Sequence, residues 1–140
     1  MTIPYRIVKI ENSQFAVFPE KFDNGKPVKV ETSFQFATSA DTSVVKCVTF
    51  IHYLQNENVL LLLENATYFS IAPEGIAAIR KEGRIPVDFL RYMATIAVGT
   101  VRGIIHAKTE GLVFNAIVLP PINLVEIIKN DLVVEAESKK

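Results

Sequence analysis

Between Pro27 and Thr38 apolar and polar residues alternate: Val28, Val30, Phe34 and Phe36 fall on one side, Lys29, Glu31, Ser33 and Gln35 on the other. A period of two predicts a β-strand with one face on a core and one in water. Val44–Leu54 is rich in β-branched and aromatic residues, and Val59–Ile71 opens on a continuous hydrophobic run. Each predicts a strand, and the polar Gln55-Asn56-Glu57-Asn58 between them predicts a hairpin turn. Ile3–Phe18 also reads as a strand, and Asn12-Ser13 inside it predicts a bulge or bend. Phe18–Pro27 is then a longer connection with a turn at Asn24-Gly25. Four antiparallel strands are expected.

The period changes in the second half. Pro73 and Gly83 bracket a short helix, proline near its start and glycine past its end. Ile85-Pro86-Val87-Asp88 opens a long helix running to about Lys108, with Gly111 as a stop. Phe89, Met93, Ile96, Ala97, Val101 and Ile104 give it an apolar stripe. Leu112–Leu119 is expected to be extended. Asn123, with Glu126 three residues later, resembles a capping box for a final helix. The fold class is therefore α+β: a four-stranded antiparallel sheet with a long and a C-terminal helix on one face. Residues 1–134 form one domain and 135–140 a solvated tail.

Such a layer leaves apolar surface over. Val45, Cys47, Ile51 and Tyr53 lie on one side of the third strand, Val44, Val48 and Phe50 on the other. The long helix carries Leu90, Tyr92, Val98 and Ile105 outside its main stripe. One long and one short helix cover a single sheet face, so a second copy of the chain or a ligand is expected to bury the rest. Gly99 and Gly103, four residues apart, point the same way. Each costs about 0.8–1 kcal/mol relative to alanine inside a helix. That cost is offset where a bare face lets another helix approach; the alternative is a helix break near Gly103.

Charge and chemistry narrow the function. Fifteen basic and fifteen acidic side chains cancel over 140 residues, so nothing draws the chain toward nucleic acid or anionic lipid. The apolar stretch Ile85–Ile105 contains Asp88, Arg91 and Arg102. Each would cost roughly 2.5–3.5 kcal/mol at mid-bilayer, so a buried helix is expected rather than membrane insertion. The N-terminus lacks the pattern of a signal peptide, and a cytoplasmic location is expected. Cys47 stands alone, which excludes an intrachain disulfide or a zinc knuckle. Cys47 and His52 fall on opposite faces of a strand and cannot form a dyad. His106 suits a helix C-terminus, Asp88 a helix N-terminus, and Glu110 a solvated position. Asp88 and Thr95 do not make a convincing pair for thioesterase-type chemistry. No catalytic residue, metal site or cofactor is expected, and the chain does not read as an enzyme.

From Tyr68-Phe-Ser-Ile-Ala-Pro-Glu-Gly75 onward the sequence resembles the SecB family of export chaperones. Phe69-Ser70-Ile71 and Glu74-Gly75 stand where that family's last strand runs into its helices. Ile85-Pro86 matches its entry to the long helix, and Tyr92 its tyrosine there. Leu119-Pro-Pro-Ile-Asn-Leu124 is similar to the motif before its terminal helix. The resemblance implies dimers that pack through their long helices into a tetramer, with Ile96, Gly99 and Gly103 at an interface between subunits. It also implies ATP-independent holding of unfolded polypeptides or preproteins for export, in grooves lined by the first loop and the helices. By that resemblance Phe18, Phe22, Tyr92, Ile122, Leu124 and Ile127 are the candidate groove residues. Members of the family are typically acidic and meet the SecA motor on the outer sheet face. This chain is neutral, has Leu62 where an acidic sheet residue would fall, and ends in Lys139-Lys140. SecA is accordingly the partner the sequence supports least. Two other readings share the fold: a chaperone dedicated to one partner, such as an antitoxin, and an oligomeric scaffold with a self-filled groove.

Overall fold

A computed structural model describes residues 3–134. The expected tail, 135–140, lies outside the described residues. Strands β1 (Tyr5–Val17), β2 (Lys29–Thr38), β3 (Val44–Gln55) and β4 (Asn58–Ile71) form one antiparallel sheet in the order β1-β4-β3-β2. Helix α1 (Pro73–Glu82), strand β5 (Arg84–Ile85), helix α2 (Val87–Lys108), helix α3 (Leu124–Ile127) and strand β6 (Leu132–Val133) follow. Helix α2 lies on β3 and β4, and α3 packs on α2. The α+β class, with both helices on one face of the four-stranded sheet, is as the sequence predicts.

Local chemistry accounts for the boundaries. The β1–β4 register slips between Asn12 and Gln14, where a bulge or bend was expected, and again between Ile7 and Lys9. Asn56 takes φ +55° in the β3–β4 turn, a left-handed conformation that asparagine tolerates better than most residues. Helix α1 has proline in its first turn and ends at Gly83, φ +73°, the proline-first, glycine-last pattern. Helix α2 runs unbroken through Gly99 and Gly103, so the break considered at Gly103 does not occur.

Three details differ from the sequence reading. Leu112–Leu119, expected to be extended, contains a 3-10 turn at Val113–Ala116. The final helix is a single turn of four residues; the Asn123 side chain accepts from the Glu126 amide, which is half of a capping box. Strands β5 and β6 form a two-stranded sheet that the pattern did not show. A two-residue strand has no readable period, so only its distant partner reveals it.

The core lies between the sheet and α2 in two clusters. One gathers Val45, Cys47, Phe69, Ile79, Met93 and Ala97, the other Ile51, Tyr53, Leu61, Leu63, Val101 and Phe114. A polar row, buried on β3 and β4 and reaching the exposed Asn12 on β1, separates them. Asn65 Nδ2 donates to Asn12 Oδ1 at 2.9 Å, Thr67 Oγ1 donates to Asn65 Oδ1 at 3.2 Å, and Thr49 sits opposite Asn65.

Candidate functional site

Strand β2 is an edge, and its free side faces a groove. Its alternation is as the sequence predicts: Val30, Thr32, Phe34 and Phe36 are half-buried toward the helices, while their neighbours are exposed. The Ser39 amide donates to Val44 O at 2.9 Å, and the β2–β3 register is unbroken from Lys29 to Thr38. In an antiparallel ladder hydrogen-bonded pairs alternate. The N–H and C=O groups of Val30, Thr32, Phe34, Phe36 and Thr38 therefore point away from β3. Among the described residues no other backbone group pairs with them. The groove side of β2 thus offers an apolar side-chain row and an open row of backbone donors and acceptors.

The segment following α2 forms the opposite wall. Ile122, Asn123 and Ile127 face Val30 and Thr32 across a hollow of about 210 Å³. Ile127, Ile128 and Leu132 face Phe34 and Phe36 across a second of about 190 Å³. The two hollows succeed one another along the strand. Ile122 and Leu124 are half-buried against the second core cluster; Ile127 is more exposed.

The six candidate groove residues divide. Phe22 sits on the same cluster as Ile122 and Leu124, edge-on to Phe114 at 5.7 Å. Phe18 is half-buried where the first loop leaves β1, with Lys21 Nζ 5.0 Å from its ring centre. Tyr92 lies apart, 67% exposed on the outward face of α2. It shares that face with Gly99 and Gly103, since seven and eleven residues are close to two and three turns. Among the described residues nothing lies within 4 Å of a side chain added at either glycine, and Ile96 is half-buried at the margin of that face. The structure therefore places Tyr92 with the candidate interface residues.

Sequence reasoning missed Arg91 and Arg102, which hold the outer wall. Arg91 Nη2 donates to Ile128 O at 2.7 Å and its Nε at 2.9 Å; Arg102 Nε donates to Leu119 O at 3.1 Å. Both were read as charges against membrane insertion. Their partners are backbone carbonyls, which carry no mark in the sequence.

Cys47 and His52 are not brought together as an acid–base pair. Cys47 is fully buried and burial pushes its thiol up to about 12, while His52 occupies the opposite face of β3. Among the described residues no group of three His, Cys, Asp or Glu side chains comes together to hold a metal ion. Among the described residues, no helix is long and apolar enough to cross a membrane.

No family model matches the chain, and a search of curated proteins finds no match. Among solved structures it is similar to a SecB-like chaperone of Mycobacterium tuberculosis, in complex with a ChAD peptide from the HigA1 antitoxin. The identity is 15%, the TM-score 0.50, and the match covers 84% of this chain and 90% of that one. The likeness shows a SecB-like fold.

Proposed function

We propose that this chain, whose fold is SecB-like, is a chaperone that holds unfolded polypeptides in the groove beside β2. The observation that carries the reading is the pairing of an apolar row with an open backbone edge. An extended segment laid along β2 would add a strand to the sheet, and every residue can supply those hydrogen bonds whatever its side chain. Alternate side chains would enter the two hollows, each buried apolar group contributing about 1.5–3 kcal/mol. Sequence-tolerant binding of this kind needs no ATP. The structural neighbour's bound antitoxin peptide fits a polypeptide ligand.

In this reading Phe18, Phe22, Ile122, Leu124 and Ile127 contact the client. Tyr92, Ile96, Gly99 and Gly103 form a helix–helix contact between copies, and the proposed assembly is a dimer of dimers. Exposed Ile7, Val8 and Ile10 on β1 add to the apolar surface that another copy would cover. A cytoplasmic location and delivery for export belong to the same reading. Its least supported part is SecA, because the outer sheet face mixes Arg6, Lys9, Lys29 and Lys46 with Glu11, Glu31 and Glu64 rather than presenting an acidic patch.

Calorimetric titration with permanently unfolded polypeptides, and a folded protein as control, tests the reading. Tight binding of several unrelated unfolded chains with a negative heat-capacity change supports general holding. No binding at tens of micromolar (roughly 6–7 kcal/mol) would sink general holding and leave a chaperone dedicated to one partner or a scaffold. Thr32→Pro adds a specific check. The Thr32 amide faces the groove, so proline there removes an edge donor and spares the β3 ladder. Client affinity should fall about tenfold, as one to two lost hydrogen bonds predict, with the far-ultraviolet spectrum unchanged. Unaltered affinity would rule out strand addition at β2.

A further inference from the structure

The groove's outer wall resembles a bound peptide more than a built wall. From Ile117 to Asn123 the chain is irregular, and among the described residues no backbone hydrogen bond ties residues 118–122 to any other element. Ile117, Leu119, Ile122 and Leu124 pack on the second core cluster, whereas Val118, Pro120, Pro121, Asn123 and Val125 are exposed. That is how an extended apolar segment would sit in the same place. Two guanidinium groups supply its polar anchoring. Arg102 donates to Leu119 O and Pro120 O, and Arg91 to Val125 O and Ile128 O. Eleven residues separate the two arginines, about 16 Å along one side of α2 at 1.5 Å per residue. Beyond the second anchor, Asp131 accepts from the Val87 amide at 2.7 Å and pairs with Arg84 at 3.5 Å. The segment is a strap, fixed at its end and latched at two points along its length.

We infer that residues 117–128 are a built-in occupant of the client groove, latched by Arg91 and Arg102 and displaced when a client binds; this rests on the holding reading above. Both latches grip backbone carbonyls. Once the strap has left, the two half-buried guanidinium groups turn to water at the surface of α2, so the latches favour the closed form alone. Client side chains then take the places of Leu119, Ile122 and Leu124 on the cluster, and the lifted strap closes over the client, so that Ile122, Leu124 and Ile127 contact it from outside.

The test compares the full chain with an Arg91→Met/Arg102→Met variant, which keeps the apolar stems and removes the donors. The probe is reduced, carboxamidomethylated α-lactalbumin. Affinity, hydrogen exchange of the strap amides and binding of the apolar dye anilinonaphthalene sulfonate are measured. The variant should bind the probe on the order of tenfold to a hundredfold tighter, the shift expected when charged hydrogen bonds stop holding the closed form. The Glu126 and Ile128 amides, which donate to Asn123 O and Leu124 O, should exchange faster when the probe binds either protein. Arg91→Lys/Arg102→Lys, which keeps the charges and loses the forks, should fall between and guards against misfolding of the first variant. Equal or weaker affinity, with strap amides that stay protected on binding, would overturn the inference and leave the holding reading standing. If neither protein binds the probe, the holding reading fails and the dye decides. Higher fluorescence with faster strap exchange in the Met variant supports a latched apolar groove, and unchanged values overturn it.

Discussion

Gly75 sits in the first turn of α1, where a side chain would meet Ile3 Cγ2 at 2.8 Å and Ile71 Cγ2 at 2.9 Å. Both contacts are branch methyls held close to the backbone, so neither yields cheaply. Alanine gains about 1 kcal/mol of helix propensity at best, against overpacking that costs about 1–3 kcal/mol. Gly75→Ala should therefore lower stability by about 1–2 kcal/mol in urea denaturation, and a gain would refute the close approach. The β2–β3 turn carries a pH response. The Ser43 and Ser39 hydroxyls and the Ser43 amide donate to Asp41, and these bonds lower its pKa from 3.8 to about 2. A depressed folded pKa stabilises above the unfolded value and is lost as pH falls through the folded one. Asp41 should therefore add to stability above about pH 4 and lose that contribution toward pH 2. Melts of wild type and Asp41→Ala should converge over that range; a constant difference would exclude the carboxylate as the cause.

Helix α2 places two demands on the same residues. Among the described residues nothing meets a side chain added at Gly99 or Gly103, so alanine at both should stabilise the helix by about 1.6–2 kcal/mol in total. In the proposed contact between copies the added methyl groups hold the helices apart. The double alanine variant should therefore melt higher at low concentration yet associate less in light scattering. Unchanged association would dismiss the glycine face as an interface. The N-terminus of the same helix shows a different dependence. Pro86 has no amide proton and no side-chain cap, and the donor at Val87 is met by Asp131, 44 residues away. The start of α2 was thus readable from Ile85-Pro86, but its cap was not, because a distant carboxylate replaces the local one.

Across the whole molecule the two core clusters meet at the polar row of Asn12, Thr49, Asn65 and Thr67. Thr49 Oγ1 is buried and, among the described residues, has no hydrogen bond beyond a weak contact with the Cys47 thiol on the same strand face. A buried hydroxyl so poorly paired is destabilising, and valine has nearly the same shape. Thr49→Val should stabilise the protein by about 1 kcal/mol in chemical denaturation; a loss would mean that the hydroxyl is satisfied. Alternation showed Thr49 facing inward with Cys47 and Ile51 but said nothing of its partners. The division of the core was therefore hidden, since it depends on which rows of different strands come into register.

Residue pattern alone set the strands, the long helix and the face each presents. Period two in β2 and period 3.6 in α2 are local properties, set by the direction of successive side chains. It also determined that apolar surface would be left uncovered. Only the tertiary structure decided the rest: the strand order β1-β4-β3-β2, the pairing of β5 with β6, and the placing of Tyr92 away from Phe22. Above all it decided that Arg91 and Arg102 hold a strap across the groove. The reason is physical. These contacts join residues far apart in the chain, often through backbone carbonyls, and every residue carries one.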